Sequence, residues 1–248
     1  MSAPYPRVTN GHGSLQGIRD ETTDAEHAVG TRGVLDDGRV FYYARNSGAA
    51  LAPGKLVMAE LAVTAAMDNL SVNKAQPGDT TLAITTKTGT SSANDYAEGY
   101  CVVVDDTSEG LTYKIKRHPA TTASTEFTFA LYDPIHVVFG DNTTVTLIKN
   151  PWMDTVIAAA AQAHLAVGIP QFTVSAGSGS EGPYYYWCQT WGVSAAWHEA
   201  TEAQGLALSS GATAGQVEIH VTTDQQIGVN MVTGVNEEYQ PIFLTIAP

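Results

Sequence analysis

An all-β fold is the expectation from three features of this sequence. Short β-branched and aromatic runs recur at close spacing, turn residues punctuate them, and a single segment has strong helix-forming composition. Regular short strands of this kind favour a β-sandwich or β-barrel. The reading is therefore an extended N-terminal arm at 1–30, a first β domain at 31–150 and a second at 151–248, which are free to pack as one body. At most one short helix is expected. A chain of 248 residues buries enough surface to need no covalent staples.

The arm is predicted from polarity without period. Gly11, Gly13 and Gly17 interrupt residues 1–30, and residues 20–26 form an acidic, solvated run. An ordered arm of this composition needs a neighbouring chain, or the protein's own body, to hold it. The first firm element follows, with Asp37-Gly38 between two apolar runs as a hairpin signal. Strand alternation puts Val40, Tyr42 and Ala44 on one face and Phe41 and Tyr43 on the other. Pro53-Gly54 turns the chain into a further strand, and residues 56–67 fit strand or helix equally.

Strands are then expected at 80–86, closed by Gly89, and at 100–104 and 111–116, joined by a turn at 105–110. Others follow at 126–131, 135–139 and 143–148, with Gly140-Asp141-Asn142 as a hairpin tip. Residues 154–166 are the one helix candidate. Their alanines at 158–161 favour helix and Gly168 would end it, while β-branched Val156 and Ile157 oppose it.

The last third returns to β structure at 166–174, 217–221, 227–235 and 242–246, with a flexible loop at 177–183. Between them lies an aromatic strand. Tyr184, Tyr186 and Cys188 would share one face, and Tyr185, Trp187 and Trp191 the other. Bulk on both faces predicts burial on both, one inside the protein and one against a neighbouring subunit, where Tyr and Trp are enriched. A row of exposed rings stacking on sugars is the alternative. A faint echo links Phe41-Tyr42-Tyr43 and the Gly-small segments after it to Tyr186-Trp187-Cys188 and its sequel, which suggests two related β units.

Composition excludes several classes of function. A net charge of −13 opposes nucleic-acid binding, since phosphate contacts need clustered Lys and Arg. No apolar stretch approaches the length of a membrane span, and the N-terminus lacks a signal-peptide pattern. Cys101 and Cys188 each sit in an apolar run and read as reduced core residues. Only 15% of residues are charged, which suits a surface buried against other protein.

Catalytic signatures are missing from the text. There is no G-x-S-x-G elbow, no H-E-x-x-H, no paired C-x-x-C and no Walker loop, and the histidines are scattered. The expectation is no enzyme, no cofactor and no metal. The run from Gly177 to Gly182 formally fits G-x-G-x-x-G, but Pro183 and an aromatic strand follow it instead of a helix, so it reads as a loop. Asp105, Asp106 and Glu109 offer oxygens for calcium, or simply make a turn.

Several segments carry a family likeness. They are Asp36-Asp37-Gly38-Arg39-Val40-Phe41-Tyr42-Tyr43-Ala44, Ala93-Asn94-Asp95-Tyr96-Ala97-Glu98-Gly99-Tyr100, and Gly110 through Pro119 (GLTYKIKRHP). Leu147-Ile148-Lys149-Asn150-Pro151-Trp152 and Tyr186-Trp187-Cys188-Gln189-Thr190-Trp191-Gly192 belong with them. Together they span most of the chain from residue 30, and the pattern resembles structural proteins of tailed-bacteriophage virions, of the head-decoration (cement) type. No catalytic residue comes with that resemblance. It implies a protein made in the bacterial host cytoplasm that binds the major capsid protein on the outer capsid surface and joins neighbouring subunits. It implies neither nucleic-acid nor membrane partners. Symmetric shells favour closed oligomers, here a homotrimer. A tail-associated receptor- or carbohydrate-binding virion protein is the alternative. Tyr5, His12, Leu15 and Ile18 on the arm and Tyr185, Trp187 and Trp191 on the aromatic strand are the candidate interface residues.

Overall fold

Antiparallel strands organise the described residues, as seen in a computed structural model of the chain. The structure describes residues 5–8, 14–60, 67–106, 108–159, 165–177, 182–221 and 223–248. Among the described residues every regular element is a strand. Contacts group the chain into two units, Met1–Glu60 with Pro151–Pro248, and Leu61–Asn150. The sequence reads as two domains in tandem, 31–150 and 151–248; the contacts instead make one unit an insertion within the other.

The first unit begins with β1 (Arg7–Val8), β2 (Arg32–Val34), β3 (Val40–Arg45) and β4 (Val57–Met58). The Asp37-Gly38 hairpin forms as its sequence demands. β2 and β3 pair antiparallel, Gly38 takes φ +85, and its N–H donates to Leu35 O at 3.0 Å.

Leu61–Asn150 holds β5 (Leu70–Val72), β6 (Thr81–Thr85), β7 (Tyr100–Asp105), β8 (Thr112–Arg117), β9 (Glu126–Leu131) and β10 (Thr144–Ile148). These close into a six-stranded antiparallel barrel in the order β10-β5-β6-β9-β8-β7. The β7-β8-β9 meander lies beside β6, a Greek-key arrangement. Period-two burial sends Leu82, Ile84, Cys101, Val103, Tyr113, Ile115, Phe127 and Phe129 inward, so side chains fill the lumen. Residues 135–139 are not the expected strand. Ile135 and Phe139 are buried as isolated contacts, Phe139 bridging Ala75, and Gly140-Asp141-Asn142 turns directly into β10.

The first unit resumes with β11 (Val156–Ile157), β12 (Ala166–Pro170), β13 (Tyr185–Trp197), β14 (Ala207–Ser210), β15 (Val217–Ile219), β16 (Gly228–Asn230) and β17 (Tyr239–Thr245). They complete a sheet ordered β1-β2-β3-β13-β17-β16-β14-β15, with β4, β11 and β12 attached off that path. The helix candidate at 154–166 is replaced, over its described residues, by a turn and strand. Asp154 takes φ +58 and its side chain pairs with Arg45, while Val156 and Ile157 pair with β4. Residues 160–164 lie outside the described residues. Of the ambiguous segment 56–67, Val57 and Met58 form β4, and 61–66 lie outside the described residues. The two echoed aromatic segments become β3 and β13, which pair side by side within one unit.

Candidate functional site: interaction surfaces

The described residues of the N-terminal segment do not extend away from the body. β1 pairs with β2, Thr22 bridges Tyr185, and Val8, Ile18 and Leu35 pack with Phe41, Tyr43 and Trp187. One polar residue makes this possible. Gln16 is buried, and its Nε2 donates to Asp20 O at 2.6 Å and Tyr185 O at 2.9 Å. Its Oε1 accepts Tyr43 Oη at 2.7 Å, and its carbonyl accepts Trp187 Nε1 at 3.0 Å. A polar segment can therefore seal an aromatic face, because the buried Gln16 amide it brings meets partners at both its donor and its acceptor. His27 closes the layer edge-on to Tyr43 at 5.2 Å, and burial holds its pKa below the usual histidine range.

Both faces of the aromatic strand are thus covered from within the chain. Tyr186 and Cys188 enter one cluster with Ala44, Leu51, Val57 and Val174, and Trp187 enters the other at 0% exposure. This corrects two expectations: no neighbouring subunit is needed to cover Trp187, and the strand offers no row of open rings. Ile18, at 1% exposure, is likewise core and not surface. Tyr185 is half-buried in the same layer, and His12 lies outside the described residues. Leu15 and Tyr5 remain at the surface, Leu15 at 78% exposure.

Trp191 departs from its predicted face because the ladder between β13 and β3 slips at Gln189–Trp191, where one extra residue forms a bulge. Trp191 instead meets Phe243 edge-on at 5.6 Å. It lines a cavity of about 500 Å³ with Asp37, Gly38, Arg39, Gly192, Val193 and Phe243. A second cavity, of about 290 Å³, is lined by Tyr5, Arg7, Asp36, Asp37 and Arg39 among others. Both share Asp37 and Arg39, so the hairpin tip that the sequence marks carries an aromatic groove on each side. Arg39 is fixed there by Asp37 at 2.7 Å and lies over the Phe41 ring at 5.9 Å. Half-exposed Tyr and Trp beside an oriented Arg is the composition of protein-binding hot spots.

A second cation–aromatic cluster sets Lys55 Nζ 4.2 Å from the Trp197 ring, which stacks on Tyr239 beside a cavity of about 300 Å³, but it holds no Arg. In the 105–110 turn, Asp105 Oδ1 accepts Asp106 N at 2.8 Å and Asp106 Oδ2 accepts Thr143 Oγ1 at 2.8 Å. These carboxylates tie the turn together, and among the described residues no three His, Cys, Asp or Glu side chains converge to hold a metal. Cys101 and Cys188 are free thiols, pushed up to about 12 by burial.

A buried pair escaped the sequence reading. His198 Nδ1 donates to Glu202 Oε2 at 2.6 Å with both side chains sealed, while His198 Nε2 and Glu202 Oε1 have no partner among the described residues. A Cβ at Gly234 would lie 2.6 Å from His198 Nδ1, so only glycine fits beside the pair. The spacing of four residues hinted at contact, but on a helix; here a loop closes it. No protein-family model, no curated protein and no solved structure matches this chain.

Proposed function

We propose that this chain is a non-enzymatic decoration protein of a tailed-phage head, made in the host cytoplasm. It binds the major capsid protein on the outer capsid surface, joins neighbouring shell subunits and associates as a homotrimer. The observation that carries this reading is the pair of grooves at the Asp37–Arg39 tip, where Tyr5 and Trp191 flank a fixed Arg39. The tip lies in one of the segments that resemble virion structural proteins. Cement proteins must bury a specific interface on a preformed shell, and stable interfaces bury roughly 1,200–2,000 Å². Aromatic and Arg anchors contribute disproportionately to such contacts. The low density of charge supports the same reading, since interface cores are depleted of charged residues.

The carbohydrate-binding alternative depended on open rings along the aromatic strand, and Tyr186 and Trp187 are buried. Quantitative mass spectrometry of particles from a culture producing the chain tests the proposal. The expected result is copies in the hundreds per head, with attachment weakened by Arg39→Ala and Trp191→Ala in chains that remain folded. Particles carrying none, or a handful at the tail, overturn it.

A further inference from the structure

At the opposite end of the sheet from β1, strand β15 pairs with β14, and among the described residues its other edge carries one isolated bridge, at Val217. The hydrogen-bond phase shows which groups face outward. Gly211 N donates to Gln216 O at 2.8 Å and His220 N to Ala207 O at 2.9 Å. Alternation then gives Glu218 to the β14 side and turns the amides of Val217, Ile219 and Val221 to the outer edge. There Val217 O accepts Glu199 N at 3.0 Å, a single parallel bridge from the end of β13, after which that chain departs. Beyond the bridge the Ile219 N–H and C=O and the Val221 N–H face the open edge, while Val221 O accepts Asp224 N at 3.0 Å where the chain turns away. Ile219 and Val221 are 45% and 50% exposed. An edge with exposed apolar side chains is a template for strand addition.

The charge around this edge has one sign. Residues 151–248 contain eight Asp and Glu and no Lys or Arg. Three of those carboxylates, Glu199, Glu202 and Asp224, lie close enough to Glu218 at the β15 end to repel its charge. Glu218 is held above the usual carboxylate range, first by partial burial and then by repulsion from Glu199, Asp224 and Glu202. Glu202 is 2% exposed with Oε1 unpartnered, so one oxygen of the set has no internal hydrogen bond. Lys55 packs against Gly215 nearby, but its Nζ is committed to the Trp197 ring at 4.2 Å.

We infer that the Ile219–Val221 edge of β15 receives an extended, lysine- or arginine-bearing segment of a partner protein, which adds as a strand and neutralises the Glu199–Glu218–Asp224 field. Charge complementarity selects this occupant over a second copy of the chain, because two such edges would bring like charges together. The inference deepens the decoration reading and rests on it for the identity of the partner, the shell subunit.

The test uses the full chain and a fluorescent nine-residue peptide alternating Lys and Val, followed by anisotropy. The expected result is saturable binding, weakened at least tenfold by Glu218→Gln with Asp224→Asn, by Ile219→Pro, and by raising salt from 50 to 500 mM. Near-UV circular dichroism checks that each variant is folded. Equal binding of a Glu/Val peptide, indifference to the charge variants, or self-association abolished by Ile219→Pro overturns the inference. Incubating the same variants with head particles separates it from the decoration reading. If the particles take up wild type and charge variants equally, this edge is excluded and decoration stands. If they take up no chain while the peptide binds as expected, decoration is excluded and the edge chemistry stands.

Discussion

The barrel and the large sheet reach a buried core by different routes. In the barrel, six strands follow one another within Leu61–Asn150, close their own ladder, and fill the lumen by simple alternation. In the sheet unit the aromatic layer joins the N-terminal segment and β3 to β13, which lies about 140 residues further along the chain. Its closure depends on Gln16, a polar residue that satisfies Tyr43, Tyr185 and Trp187 together. Local alternation suffices for the first core; the second needs a long-range polar keystone.

The sharpest way to break this comparison is to hollow each core in turn. Trp187→Ala and Phe129→Ala each remove a fully buried aromatic, and each is expected to cost about 3–5 kcal/mol. The two thiols report where the loss falls, since Cys188 lies in the sheet unit and Cys101 in the barrel, both buried. Trp187→Ala is expected to speed labelling of Cys188, and Phe129→Ala that of Cys101, by about a hundredfold or more. Equal acceleration of both thiols by either substitution would mean that the two regions open as one cooperative body.

The same contrast explains what the sequence disclosed. Period-two patterns at 81–85, 100–105, 112–117 and 126–131 were readable because each residue's face is decided by its immediate neighbours. The Asp37-Gly38 hairpin was readable for the same local reason. The fate of residues 14–22 was not, because nothing near Gln16 signals that its partners lie some 170 residues away. Trp191 was placed on the wrong face by a bulge, which shifts the period by one without any mark in composition. The edge at Ile219 was invisible until strand order was known, since every strand looks alike before its neighbours are counted.

Acid sharpens the comparison with a smaller effect. In the barrel, His118 Nε2 accepts Tyr96 N at 2.9 Å and Nδ1 donates to Pro119 O at 2.7 Å, so the neutral ring is fully used. Burial lowers its pKa, against weaker upward pulls from Pro119 O and Asp95. A histidine lowered in the folded state binds its proton more readily when unfolded. Stability is therefore complete above about pH 6.5 and falls as pH drops toward the folded value. Urea midpoints at pH 7.5 and 5.5 are expected to show this loss for wild type and a reduced loss for His118→Gln. His27, lowered by burial in the sheet unit, acts in the same direction, so an identical loss in His118→Gln would assign the acid sensitivity away from the barrel.

The smallest expected effect tests whether local signals remain local. Gly38 holds φ +85 at the hairpin tip and has open space around a notional Cβ, so conformation alone decides the cost of a side chain there. Gly38→Ala is expected to cost about 1–2 kcal/mol, the price of the left-handed backbone for a residue with Cβ. Gly38→Asn, which tolerates that region, should recover part of it. The loss should register in Cys188 labelling and not in Cys101. A substitution at the tip that left stability unchanged would show that the hairpin rearranges freely, and the fixed placement of Arg39 between its two grooves would lose its physical basis.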